Sequence, residues 1–271
     1  MPCLLEAFDG FLIDLDGVVY VGEQALPGAA DAIAAIRTAG KELLFLTNDP
    51  RRSRAEYAGR LNRLGIEAVP GDVLTAGAAT AAYLRDHERL QGASAFVIGT
   101  SALKDELRRV GLRVVEGEDG RRADVVVVGG HEAFGYQELR VAAQAVLRGA
   151  GLFATGRDAT FPMPDGPWPA AGAIVAAVEA TSGRPATAIG KPEPHMFEAA
   201  RSLLRGSELA VIGDTVASDI VGGSRAGCFT ILIGSGKAAD FPPGEGHPDI
   251  VLPSLLDVMR AHKPATKDRR S

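Results

Sequence analysis

The chain of 271 residues holds only two cysteines, Cys3 and Cys228. They are far apart, and neither sits in a CxxC or other metal-ligand spacing, which excludes a disulfide framework and a thiolate metal site and fits a reducing compartment. Positive charge is also in short supply. A net charge of −5 and a pI near 5.6 leave no general basic field for a nucleic-acid backbone or an anionic membrane, so any recognition of phosphate has to be local. Long apolar runs are missing too: stretches such as Val125 to Val128 have the length of strands and could not span a bilayer core of about 30 Å. Met1-Pro2-Cys3-Leu4-Leu5-Glu6 carries no charged leader and no apolar stretch of signal-peptide length, so we expect a cytoplasmic protein. No repeat of solenoid period is visible. What the chain does have is 46% hydrophobic and 23% charged residues, the balance of a globular protein with a sizeable core.

Apolar runs alternate with helical periodicity along most of the chain. Gly10-Phe11-Leu12-Ile13 runs into Asp14-Leu15-Asp16-Gly17 and reads as a buried parallel strand with a polar C-terminal end. A helical pattern over 28–39, closed by Gly40, leads to a second run, Leu43-Leu44-Phe45-Leu46, that ends in Thr47-Asn48-Asp49-Pro50. Helices are expected over 53–64 and 75–85, a Pro/Gly-rich loop over 158–169, a helix over 217–226, and a last helix over 255–261 behind Ser254 as N-cap. The tail 262–271 is polar and basic and is expected to fray.

In doubly wound sheets ligands bind beyond the carboxyl ends of the strands. The polar residues at those ends are Asp14 and Asp16, Thr47 and Asn48, Lys191 after Ile189-Gly190, and Asp214 after Val211-Ile212-Gly213. Three carboxylates, a hydroxyl, an amide and an ammonium suit a site that holds a divalent cation and a phosphate together. Taken alone, an Asp between strand and helix is more often an N-cap, and Asp214 or Asp219 in isolation would be read so. For Asp14 and Asp16 that reading is weak, because two carboxylates in an apolar run are costly without a cation or hydrogen-bond partners. His131 and His195 are read as helix-end or surface residues.

Asp14-Leu15-Asp16-Gly17-Val18-Val19-Tyr20, Thr47-Asn48, Gly190-Lys191-Pro192 and Gly213-Asp214-Thr215-Val216-Ala217-Ser218-Asp219 together resemble the ordered motifs of the haloacid-dehalogenase-like hydrolases, in the variant of the NagD-type, class IIA phosphatases. The resemblance implies an α/β protein with a doubly wound, Rossmann-like parallel-sheet core and an inserted α/β cap of C2 type: core at 1–87, cap at 88–184, core again at 185–271. It implies a Mg2+-dependent phosphomonoesterase that works through an aspartyl-phosphate. Asp14 would be the nucleophile and touch the metal. Asp16 would act as acid and then base, its carbonyl on the cation. Thr47, the Asn48 backbone and Lys191 would bind the phosphoryl group, Asp214 would complete the metal site, and Asp219 would act from behind it. The substrate is expected to be a small phosphorylated metabolite, with no nucleic acid or membrane as partner and a homodimer formed through the cap.

Two departures from the family pattern stand out. Thr47-Asn48-Asp49 puts a carboxylate beside a phosphate site, so Asp49 is expected to cap the following helix. In the cap, Thr155-Gly156-Arg157-Asp158 introduces Arg157, which either binds an acidic or second-phosphate group on the substrate, with Asp158 alongside, or faces solvent. Trp168 is a candidate aromatic contact in the same segment. Rival functions are a non-catalytic phosphate-ligand sensor on this fold and a C–halogen hydrolase, the latter disfavoured because that chemistry needs no metal and lacks the carboxylate that Asp16 supplies.

Overall fold

The computed structural model describes residues 2–87, 90–163, 165–236, 244 and 246–264. Residues 265–271 of the basic tail lie outside the described residues. The chain divides into two compact units: Met1–Thr47, Ala55–Leu74 and Ala200–Ser271 form the first, Asn48–Arg54 and Thr75–Ala199 the second.

The first unit is built on a six-stranded sheet in the order Ile250–Leu252, Phe229–Ile233, Leu209–Gly213, Gly10–Asp14, Glu42–Thr47, Val73–Thr75. The strands on either side of Gly10–Asp14 run parallel to it. Alternate residues of the central strands, Phe11, Ile13, Leu43, Phe45, Ala210 and Ile212, enter one core with Ile33 and Ile36 of the helix Ala29–Thr38. Leu12, Leu44 and Val211, pointing the other way, are equally buried. A sheet covered on both faces needs apolar residues at every position, which is why these strands read as continuous hydrophobic runs.

The second unit repeats the logic with five parallel strands ordered Thr187–Ala188, Gly151–Ala154, Val125–Gly130, Ser94–Gly99, Arg113–Val115. The valine run makes the two faces explicit: Val126 and Val128 join one cluster with Val141 and Val175, Val125 and Val127 another with Leu103 and Leu107. Each fully buried valine stabilises the unit by about 1.5–3 kcal/mol relative to exposure.

Several segments differ from the expectations. The loop over 158–169 contains a hairpin, Thr160–Met163 with Gly166–Pro169, in which Phe161 opposes Trp168 and Pro162 opposes Pro167. Both strands of a two-stranded ribbon are edges, so prolines that would break a central strand are tolerated. The helix over 217–226 begins as a π-helical turn, Val216–Ile220. The last helix is a 3₁₀ segment, Leu255–Met259, whose threefold repeat puts Leu255 and Val258 together in the core. Ser254 stands at its N-cap, as expected, but its side chain makes no capping bond to the backbone; its hydroxyl donates to Asp257 at 2.6 Å. Val73–Thr75, an additional edge strand, precedes the helix Ala76–Arg85. Among the described residues no helix is long and apolar enough to cross a membrane.

Candidate active site

Strand register brings the first set of acids to one level. Asp14 ends its strand opposite Leu46, so Thr47 lies one residue further along the neighbouring strand. On the other side Ile13 pairs with Ile212, which places Asp214 just past the end of its own strand. Oxygens of Asp14, Asp214 and Asp219 lie within 4.8 Å of one another. Asp14 is half-buried, Asp214 exposed and Asp219 buried.

The local backbone explains how three carboxylates reach one place. Gly17 has φ of 86°, a left-handed conformation that favours glycine, and a Cβ there would run into the Asp214 carboxylate. The π-helical turn returns Asp219 towards the strand end, where its Oδ2 accepts from the Thr215 N–H at 3.2 Å and the Ser218 hydroxyl at 3.3 Å. The Thr215 hydroxyl donates to Asp214 at 3.1 Å. Turns of this kind recur where a helix has to re-aim a functional side chain. Asp219 therefore lies in one group with Asp14 and Asp214. Hard carboxylate oxygens in such a group suit Mg2+ or Ca2+. Asp16, two residues beyond Asp14, is exposed, and Thr47 is buried.

The second unit gathers Asn48, Asp158 and Lys191. The Asn48 side chain accepts from the Lys191 N–H at 2.8 Å and donates through Nδ2 to the Lys191 carbonyl at 2.9 Å and to Asp158 at 3.2 Å. A Cβ at Gly190 would collide with the Thr155 carbonyl and the Asn48 amide, so only glycine lets this loop close. Sequence reasoning used only the Asn48 backbone; nothing in the sequence marked its side chain as a clamp on both backbone groups of Lys191.

Arg157 is engaged within its own unit. Its guanidinium donates to both carboxylate oxygens of Glu179, at 2.8 and 3.3 Å, and to the Ala186 carbonyl at 2.8 Å. Hydrogen bonding from Arg157 is the main reason the Glu179 carboxyl titrates below its ordinary value of 4.5. Asp49 lies five residues ahead of the helix Arg54–Arg63. Its carboxylate takes the Arg51 N–H at 2.9 Å and the Arg51 guanidinium at 2.8 and 3.1 Å, which closes a local turn and balances its charge. The Arg51 guanidinium also lies 4.1 Å from the centre of the Phe161 ring, while the Trp168 indole donates to Asp165. His131 and His195 pair with Glu138 and Glu198 on their own helices or just before them.

Comparison with known proteins identifies the family. A haloacid dehalogenase-like hydrolase profile matches residues 11–113, and a HAD-hydrolase-like profile matches residues 188–258. The sugar-phosphatase AraL of Bacillus subtilis is 36% identical over 255 residues, 93% of this chain and 92% of its own length. The chain belongs to the haloacid dehalogenase-like hydrolases. Among solved structures, the glycerol phosphate phosphatase of Mycobacterium tuberculosis in complex with magnesium superposes with a TM-score of 0.88 at 32% identity, over 96% of this chain and 79% of that one. NagD from E. coli K-12 does so with a TM-score of 0.83 at 30% identity, over 93% and 98%. This hydrolase is a phosphatase of NagD type, on a parallel-sheet α/β fold.

Proposed function

We propose that the hydrolase cleaves small phosphomonoesters by in-line attack of Asp14 on phosphorus. A bond forms between an Asp14 oxygen and phosphorus as the ester P–O bond breaks, and Asp16 gives its proton to the leaving oxygen. Asp16 then takes a proton from water, the water oxygen attacks phosphorus, and the bond to Asp14 breaks, releasing inorganic phosphate and restoring the free carboxylate. Thr47 and the Asn48 backbone hydrogen-bond the transferred group, and Lys191 offsets its charge. Asp14, Asp214, Asp219 and the Asp16 carbonyl would hold Mg2+, which supplies charge neutralisation between an anionic nucleophile and an anionic ester. The observation that carries the reading is the convergence of Asp14, Asp214 and Asp219 within 4.8 Å, with Asp16 exposed two residues beyond Asp14.

The named substrates of relatives, sugar phosphate and glycerol phosphate, support a small phosphorylated metabolite as substrate, and the net charge of −5 argues against a polyanion as partner. The engagement of Arg157 with Glu179 favours a scaffold role for it over direct substrate contact. Family resemblance also supports a cap at 88–184 that carries a homodimer contact, which sedimentation of the full chain checks. Hydrolysis of p-nitrophenyl phosphate decides the central claim: Asp14→Asn is expected to remove turnover, and EDTA to stop it reversibly. Turnover unaffected by either change would sink the mechanism.

A further inference from the structure

Arg60 sits in the helix Arg54–Arg63 beside Tyr57 and Leu61 and is only 8% exposed. Its guanidinium lies over the ring of Tyr20, 4.0 Å from Cζ to centroid. One nitrogen donates to the Gly22 carbonyl and stands 3.6 Å from the Glu23 carboxylate, while Nε is buried without a hydrogen-bond partner. As core filling this is a poor choice, since an apolar side chain of similar volume would leave no N–H unsatisfied and no cation to desolvate.

What Arg60 holds is informative. Tyr20, itself fully buried, brackets Asp16: its N–H donates to the Leu15 carbonyl at 3.2 Å, and its carbonyl accepts from the Gly17 N–H at 2.9 Å. Those two groups belong to the peptide planes immediately before and after the Asp16 Cα. With both planes tied to Tyr20, φ and ψ of Asp16 are set, because the chain has no other soft torsion there. Tyr20 also opens the ribbon Tyr20–Val21 with Gln24–Ala25, and Arg60 grips the turn of that ribbon at Gly22.

We propose that Arg60 is a positioning residue for the proton donor: it locks Tyr20 and the ribbon turn, and through them the backbone that aims Asp16 at the leaving oxygen. The inference rests on Asp16 being that donor. Misaimed acid catalysis penalises a basic leaving group far more than a good one, whereas general damage to the fold or to phosphate binding penalises both alike.

The test uses the magnesium-loaded full chain and a series of phenyl phosphates that differ only in leaving-group acidity. For Arg60→Met, kcat/KM, which reports the step that expels the leaving group, should fall about 10- to 100-fold on phenyl phosphate and less than about threefold on p-nitrophenyl phosphate. Arg60→Lys, which keeps a cation over the ring, should recover much of that difference; if the Met variant does not fold, the same ratio is read from Arg60→Gln, which removes the cation but keeps a polar side chain. Asp16→Asn serves as the reference. If it steepens the leaving-group dependence of kcat/KM while the Arg60 variants lose kcat/KM equally on all substrates, the role of Arg60 is overturned and the acid assignment stands. If Asp16→Asn shows no steepening, the acid assignment fails and the inference falls with it.

Discussion

Replacing Asn48 by alanine removes three hydrogen bonds at once. The Lys191 N–H loses its acceptor at 2.8 Å, the Lys191 carbonyl its donor at 2.9 Å, and Asp158 a donor at 3.2 Å. Lys191 is 5% exposed, so water replaces the lost partners poorly, and each buried backbone group left unsatisfied costs about 1–3 kcal/mol. Allowing for partial relaxation, the loss should be roughly 2–4 kcal/mol, a fall in Tm of about 5–15 °C. Activity should drop as well, because the same bonds fix the backbone that carries the Lys191 ammonium; a displacement of about 1 Å lowers kcat on the order of 100-fold. Asn48→Asp sharpens the test. It keeps the acceptor for the Lys191 N–H but turns the donor into a second oxygen facing the Lys191 carbonyl and the Asp158 carboxylate, so it should be no more stable than the alanine variant. Calorimetry with kcat on p-nitrophenyl phosphate reads both effects. An alanine variant within about 0.5 kcal/mol of the parent and fully active, or an aspartate variant better than alanine, would refute the clamp.

Asp219→Asn should weaken magnesium rather than abolish chemistry: the metal concentration for half-maximal activity should rise about 10- to 100-fold, with kcat at saturating metal much less affected, and an unchanged metal requirement would remove Asp219 from the metal group. Glu179 predicts an acid limb in stability. Its carboxyl is depressed by Arg157 below 4.5, so its contribution is fully present above that pH and is lost as pH falls through the lower folded value. Asp124, depressed from 3.8 by the Ser94 hydroxyl and N–H, acts in the same sense. Glu179→Gln should therefore lower Tm at pH 7 and flatten its decline below about pH 4.5; an acid limb as steep as the parent's would show that the pair does not contribute.

The strand-end acids were legible because the pattern that buries a sheet on both faces also exposes what is polar at its ends. Phe11, Ile13 and Phe45 demand an apolar neighbourhood, and Asp14, Thr47 and Asp214 appear where it stops. The hairpin around Phe161 and Trp168 was hidden because prolines at 162 and 167 read as loop to any rule that does not know the strands are both edges. Arg60 was hidden for the opposite reason, since an arginine in an amphipathic helix ordinarily reaches solvent, and what it holds, the Tyr20 ring and the Gly22 carbonyl, lies about forty positions earlier in the chain.

Sequence alone determined the α/β alternation, the order of the chemical motifs and the identity of Asp14 as the first acid after a buried strand, because those follow from local periodicity and residue chemistry. Tertiary structure decided the partners: that Asp219 lies with Asp14 and Asp214, that Asn48 grips the Lys191 backbone, and that Arg157 turns to Glu179. Such pairings join residues distant in the chain, and a carboxylate, amide or guanidinium looks the same in sequence whether it meets a metal, a backbone or water.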